Sequence, residues 1–113
     1  MDDTLVVIFA NGEMRYPEAI RAMAQNAKLI IAADGGLTHI QSLGLRPHLL
    51  IGDLDSVTPD QVRWAEEQGC EIRRFPAEKD ETDLELALQA AEESGCRNVV
   101  ITAVLGGRLE QTL

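Results

Sequence analysis

Asp53 and Asp55 stand one residue apart in Gly52-Asp53-Leu54-Asp55-Ser56, directly after an apolar run. Packing has no use for a second carboxylate there. In an extended or turning segment, residues i and i+2 point the same way, so both side chains can present oxygens to one point. A second acidic group, Glu78-Lys79-Asp80-Glu81-Thr82-Asp83, lies between a later apolar run and a helix-like stretch. Carboxylates gathered in one place repel one another unless a cation neutralises them. Mg²⁺ suits such a set, because it takes hard oxygen ligands and leans on one or two carboxylates plus substrate phosphates. Asp53, Asp55, Asp80 and Asp83 are the candidate metal ligands.

Three further turns supply the complement: Asn11-Gly12, Asp34-Gly35-Gly36 and Gly106-Gly107-Arg108. Glycine lets a backbone approach phosphate closely, and arginine pairs with phosphate oxygens bidentately. Singly, each turn has an ordinary reading. Asp83 and Glu85 fit the first turn of a helix, where acids favour the helix dipole. Asp34-Gly-Gly is a common turn signal. Together they form a constellation suited to phosphoryl-type transfer, with metal-held phosphates facing glycine turns and a guanidinium. The chain has no GxxxxGK[ST] and no well-formed GxGxxG, so it is neither a P-loop protein nor an ordinary dinucleotide binder.

The elements that must position these turns alternate along the chain. LVVIFA (5–10), LIIAA (29–33), HLLIG (48–52), EIRRF (71–75) and NVVITAV (98–104) read as strands, the first three nearly all apolar and so buried on both faces. PEAIRAMAQNA (17–27) begins with proline and carries apolar residues at helical spacing. THIQSLG ends on Gly44. Thr58-Pro-Asp-Gln61 and Thr82-Asp-Leu-Glu85 are capping-box patterns that open two more helices, closed by Gly69 and Gly95. RLEQTL looks like the start of another. Strands separated by helices form a parallel sheet with right-handed crossovers. The expected fold is a three-layer, doubly wound, Rossmann-like α/β domain of about five mostly parallel strands. In such sheets ligands sit beyond the carboxyl ends of the strands, and all five candidate turns fall there.

Length and charge agree with this. The chain has 113 residues, enough for one domain with its own core. Its net charge of −9 disfavours a nucleic-acid surface. Cys70 and Cys96 show no metal-ligand spacing and are read as reduced, packed thiols. The acidic start MDDTLVV is no secretory signal, and no apolar run is long enough to span a bilayer. A cytoplasmic location and no membrane partner are the expectation. His39, on a short helix, and His48, after Pro47 at a strand start, are read as structural, Trp64 as helix packing, and Arg73-Arg74 as a strand with one face to solvent.

ADGGLTHI, P-HLLIGDLDS, EKDETDLELAL and GGRLEQTL, in this order and spacing, resemble the thiamine pyrophosphokinase family. The resemblance spans nearly the whole chain from Asn11-Gly12 onward, and GDxDS with KDxTDxExAL and GGR is specific as a set. It implies a nucleotide-binding catalytic α/β domain over residues 1–113. The implied reaction moves a pyrophosphoryl group from ATP to the hydroxyl of thiamine with Mg²⁺, giving thiamine diphosphate and AMP. It implies Asp53 and Asp55 as the GDxDS metal carboxylates, and Asp80 and Asp83 as catalytic residues touching metal or substrate hydroxyl. It also implies nucleotide contacts at Asn11, Gly12, Asp34, Gly35, Gly36, Ser56, Lys79, Thr82 and Arg108. Two departures stand out. The family commonly reads GGRxDH or GGRxDQ, whereas this chain has Glu110, an acid one methylene longer. The family's second, β-rich, thiamine-binding domain, which helps build a homodimer, has no counterpart before Leu113. The expectation is an isolated or truncated catalytic domain, weakly active or inactive alone.

Other readings fit less well. A receiver-type phosphoacceptor needs an acidic pair after the first strand and a lysine after the fifth. Here Asp2-Asp3 come before the first apolar run and Gly-Gly-Arg follows the fifth. A DxDxT phosphatase places its motif after the first strand, with threonine two residues beyond the second aspartate. Here the pair follows the third strand and Val57 occupies that place. A non-catalytic nucleotide- or metal-binding module remains the alternative to an enzyme.

Overall fold

The computed structural model describes residues 2–10, 12, 16–52, 54, 57–75 and 83–102. Strand β1 (Asp2–Phe9) leads to helix α1 (Pro17–Gln25), strand β2 (Ala27–Ala33), a 3-10 turn (Asp34–Gly36) and helix α2 (Leu37–Leu43). Strand β3 (Leu49–Gly52), helix α3 (Pro59–Glu67), strand β4 (Glu71–Arg74), helix α4 (Asp83–Glu93) and strand β5 (Asn98–Thr102) follow. The strands form one parallel sheet in the order β4-β3-β2-β1-β5.

Continuous apolar runs suit this sheet because both of its faces are covered. Alternate residues divide cleanly between two cores. Leu5, Val7 and Phe9 of β1, Ile30 and Ala32 of β2, and Leu50 of β3 pack with Ala24, Ile40 and Ala65 of α1, α2 and α3. Val6 and Ile8, Ile31 and Ala33, and Leu49 and Ile51 pack with Leu86, Ala87, Ala90 and Ala91 of α4. Each large side chain buried this way stabilises the fold by about 1.5–3 kcal/mol relative to exposure. Trp64 packs partly buried against the first core, as its place on a helix predicts.

The helix signals perform as expected where they are described. Thr58 and Gln61 form the full capping box of α3, the Gln61 N–H donating to Thr58 Oγ1 at 3.1 Å and the Thr58 N–H to Gln61 Oε1 at 3.0 Å. The second box, opened by Thr82, lies outside the described residues. Both cysteines are free, and burial pushes the Cys70 thiol up to about 11, with Glu71 adding to it. That holds Cys70 as an inert packed thiol.

Several boundaries differ from expectation. α1 ends at Gln25, and β2 begins at Ala27, a residue expected to close that helix, because Ala27 pairs with Asp2 of β1. β1 begins at Asp2, so Asp2 and Asp3 open the strand instead of preceding it. Parallel pairing of Asp2 with Ala27 extends the strand beyond its apolar stretch. Asp34-Gly35-Gly36 is a helical turn continuous with α2. At the amino edge, His48 continues the β2–β3 ladder. Its N–H donates to the Ile30 carbonyl at 2.8 Å, and its Nδ1 accepts from the Ile30 N–H at 2.9 Å. Arg73 reaches Glu71 at 2.7 Å and Glu93 at 3.7 Å on the α4 face.

Candidate functional site

A parallel sheet puts all five carboxyl ends on one edge, and the order of strands decides which meet. β3 and β4 are neighbours, with Gly52 paired to Arg74 and the Phe75 N–H donating to the Gly52 carbonyl at 2.9 Å. From β3 the chain passes to α3 on one face of the sheet, and from β4 to α4 on the other. Adjacent strands whose chains diverge in this way open the kind of crevice where α/β sheets take ligands. Gly52 and Leu54 bracket Asp53, and Asp83 is the first residue of α4. The GDLDS and EKDETD segments therefore begin from adjoining strand ends.

Backbone strain gathers on this edge. Asp34 after β2 has φ 53°, Leu54 after β3 has φ 67°, and Tyr16, which leads into α1, has φ 56°. Each left-handed non-glycine residue costs about 1–2 kcal/mol, and such residues concentrate where a ligand must be met. Asp34 is half-buried, with its Oδ1 inside the fold. The Leu54 turn is closed by the Val57 N–H donating to the Leu54 carbonyl at 3.2 Å. A groove of about 370 Å³ runs beside it along α3, with Leu54, Val57 and Arg74 among its walls.

The turns are also tied to one another. Gly35 and Gly36 are buried, and Gly36 lies so close to the end of β1 that a Cβ there would stand 1.9 Å from the Phe9 carbonyl oxygen. His39 Nε2 meets the Gly12 carbonyl oxygen at 2.6 Å. The Ala10 N–H donates to the Thr102 carbonyl at 2.9 Å, joining the ends of β1 and β5. Gln61 Nε2 donates to Thr38 Oγ1 at 3.0 Å and to Gln41 Oε1 at 2.9 Å, linking α3 to α2.

Of the residues singled out from sequence, Gly12, Asp34, Gly35 and Gly36 are on this edge and close together. Asp83 starts α4, as its place in a capping-box pattern predicts. Asn11, Asp53, Asp55, Ser56, Lys79, Asp80, Thr82 and Arg108 lie outside the described residues. Among the described residues no three metal-ligating side chains converge. The side chains of all four proposed ligands lie outside that set. The sequence reading missed the tie between His39 and Gly12, since a single histidine on a short helix carries no signal of its partner. It also missed Arg74 at the crevice. The face each arginine of the pair takes emerges only when Arg73 is seen to bind Glu71 and Glu93.

Residues 20–113 match the family model described as thiamin pyrophosphokinase, catalytic domain. The thiamine pyrophosphokinase of Bacillus subtilis is 31% identical over 106 residues, which cover 94% of this chain and 50% of that protein. The crystal structure of thiamine pyrophosphokinase from Bacillus subtilis matches with a TM-score of 0.72 at 28% identity, over 92% of this chain and 48% of that one. That of the thiamin pyrophosphokinase from Geobacillus thermodenitrificans matches with a TM-score of 0.70 at 27% identity, over the same shares. The chain spans about half the length of these relatives. A parallel sheet in the order β4-β3-β2-β1-β5, with its glycine turns packed on one edge and a family match over residues 20–113, makes this chain a member of the thiamin pyrophosphokinase family, carrying sequence of its catalytic domain.

Proposed function

We propose that this chain is the nucleotide-binding, catalytic part of an enzyme that makes thiamine diphosphate and AMP from thiamine and ATP. In the reaction the thiamine hydroxyl oxygen bonds to the β-phosphorus of ATP. The bond from that phosphorus to the oxygen bridging the α- and β-phosphates breaks, and AMP leaves with the electron pair. Asp80 or Asp83 takes the hydroxyl proton. The observation that carries this reading is the pairing of Gly52 with Arg74, because it starts the two acidic segments from adjoining strand ends.

Asp53, Asp55, Asp80 and Asp83 would hold Mg²⁺, a donor set of hard oxygens that suits this ion. When bound, the ion neutralises charge on the phosphates. The turns at Asn11-Gly12 and Asp34-Gly35-Gly36, with Ser56, Lys79, Thr82 and Arg108, bind and orient the nucleotide. Catalysis in this scheme is mostly positioning and charge stabilisation. The thiamine-binding surface and a homodimer belong to the longer protein. A cytoplasmic location without membrane or nucleic-acid partners fits the net charge of −9, and no described helix is long and apolar enough to cross a membrane.

The test is thiamine-dependent AMP formation from ATP and Mg²⁺ by the longer protein. Asp53→Asn and Asp55→Asn are each expected to abolish it. Activity retained in both variants would falsify the metal assignment. Calorimetry of this chain with Mg-ATP shows whether it holds the nucleotide unaided.

A further inference from the structure

Two turns of the ligand edge, after β1 and after β2, are keyed together twice. One key is steric: Gly36 leaves no space between the 3-10 turn and the Phe9 carbonyl. The other is polar: His39 Nε2 lies 2.6 Å from the Gly12 carbonyl oxygen. A carbonyl only accepts, so Nε2 carries the proton and donates it, which selects the ring tautomer. His39 is half-buried and is the third residue of α2. Its neighbours Leu37 and Ile40 are fully buried in the core beneath. The imidazole therefore transmits the position of the packed core to the Gly12 backbone, 27 residues earlier in the chain.

We propose that His39 is a positioning residue for nucleotide binding. It holds the Gly12 backbone in fixed register with Asp34-Gly35-Gly36, so that the two turns meet the phosphates as one preformed surface. This rests on the nucleotide reading given above. Binding to a preformed surface avoids the ordering cost that a loose turn would incur. The hydrogen bond is thus expected to show in affinity more than in stability.

The experiment compares this chain with His39→Phe, which keeps a ring and removes the donor, and His39→Gln, whose amide restores one. In wild type the Gly12 carbonyl carbon carries the shift of a hydrogen-bonded group in NMR. In His39→Phe it moves upfield, and Mg-ATP affinity by calorimetry falls about tenfold, the scale of one hydrogen bond. His39→Gln recovers both, to within about threefold in affinity. If the Phe variant does not fold, His39→Asn, whose amide is too short to reach, replaces it with the same expectation. Wild-type affinity in a variant lacking the bond overturns the role of His39 and leaves the nucleotide reading standing. Failure of the wild type to bind Mg-ATP overturns nucleotide binding by this chain unaided, and the positioning role with it.

Discussion

Gly36→Ala is the sharpest perturbation of this fold, because the need for glycine there is spatial. Gly36 has φ −59° and ψ −17°, ordinary helical values open to any residue. A Cβ built on it would lie 1.9 Å from the Phe9 carbonyl oxygen, 2.5 Å from the Phe9 carbonyl carbon and 3.2 Å from the Ala10 nitrogen. These are backbone atoms of a strand clamped on both sides, with Phe9 paired to Ala32 and to Thr102. They cannot rotate away. Reaching even 3.0 Å requires the turn to retreat by about 1 Å, and α2 follows it directly. Leu37 and Ile40, both fully buried, would be drawn from their contacts. Overpacking costs about 1–3 kcal/mol, and a clash with backbone belongs at the upper end. A loss of about 3 kcal/mol is a large part of the roughly 5–15 kcal/mol that holds a domain together. It corresponds to a fall of about 12 °C in Tm for a chain of this size. Gly44→Ala is the matched control. Gly44 has φ 70° with nothing within 4 Å, so alanine there meets strain but no clash, costing about 1 kcal/mol. Urea unfolding followed by circular dichroism measures both. If Gly36→Ala loses no more stability than Gly44→Ala, the close approach of the 3-10 turn to the end of β1 does not demand glycine at position 36.

Two further outcomes are expected. His48 Nδ1 accepts the Ile30 N–H, and burial of its ring together with the Arg46 guanidinium holds its pKa below the usual 6.5. The unfolded chain then binds the proton first, so stability from this group is complete above about pH 6.5 and is lost as pH falls through the folded value. Urea midpoints measured between pH 5 and 8 should drop on the acid side, and His48→Asn, which keeps an acceptor that does not titrate, should flatten that slope. Thr58→Ala removes one half of the α3 capping box and should cost about 1 kcal/mol in the same assay.

Much of this fold is legible in the sequence because each layer is written in a different period. Continuous runs such as Leu5-Val6-Val7-Ile8-Phe9 announce strands covered on both faces, and Thr58-Pro59 with Gln61 announces a helix start. What the runs cannot say is which residue faces which core. In a strand buried on both sides, Val7 and Ile8 look alike, although one packs against α2 and its companions and the other against α4. Strand order is equally silent, since β5 pairs with β1, the most distant strand in sequence. The candidate site divides in the same way. Residue types and spacing mark Asp34-Gly35-Gly36 as a turn with chemical interest. They do not disclose that Gly36 abuts Phe9 or that His39 finds Gly12, because each is a long-range meeting with a backbone carbonyl, which carries no residue-type signature. Asp53, Asp55 and Asp80 are readings of sequence that follow the neighbouring strands β3 and β4, whereas Arg108 follows β5, at the far edge of the sheet.

The strand order also sets a timetable for the nascent chain. β1 to β4 are made in the order in which they line up, so each can dock on its predecessor as it emerges. β1 nevertheless keeps one side without a partner until residues 98–102 are synthesised, and the face carrying Val6, Ile8, Ile31 and Ile51 waits for α4. Until α4 and β5 are made, the ribosome therefore displays a growing sheet with an open edge and a bare apolar face, a template for pairing with other chains. Closing β1 against β5 ends that exposure and is the step of highest contact order in the fold. Chaperone dependence during synthesis should therefore be governed by the last twenty described residues, although the turns at Gly12, Asp34 and Gly52 are made long before them.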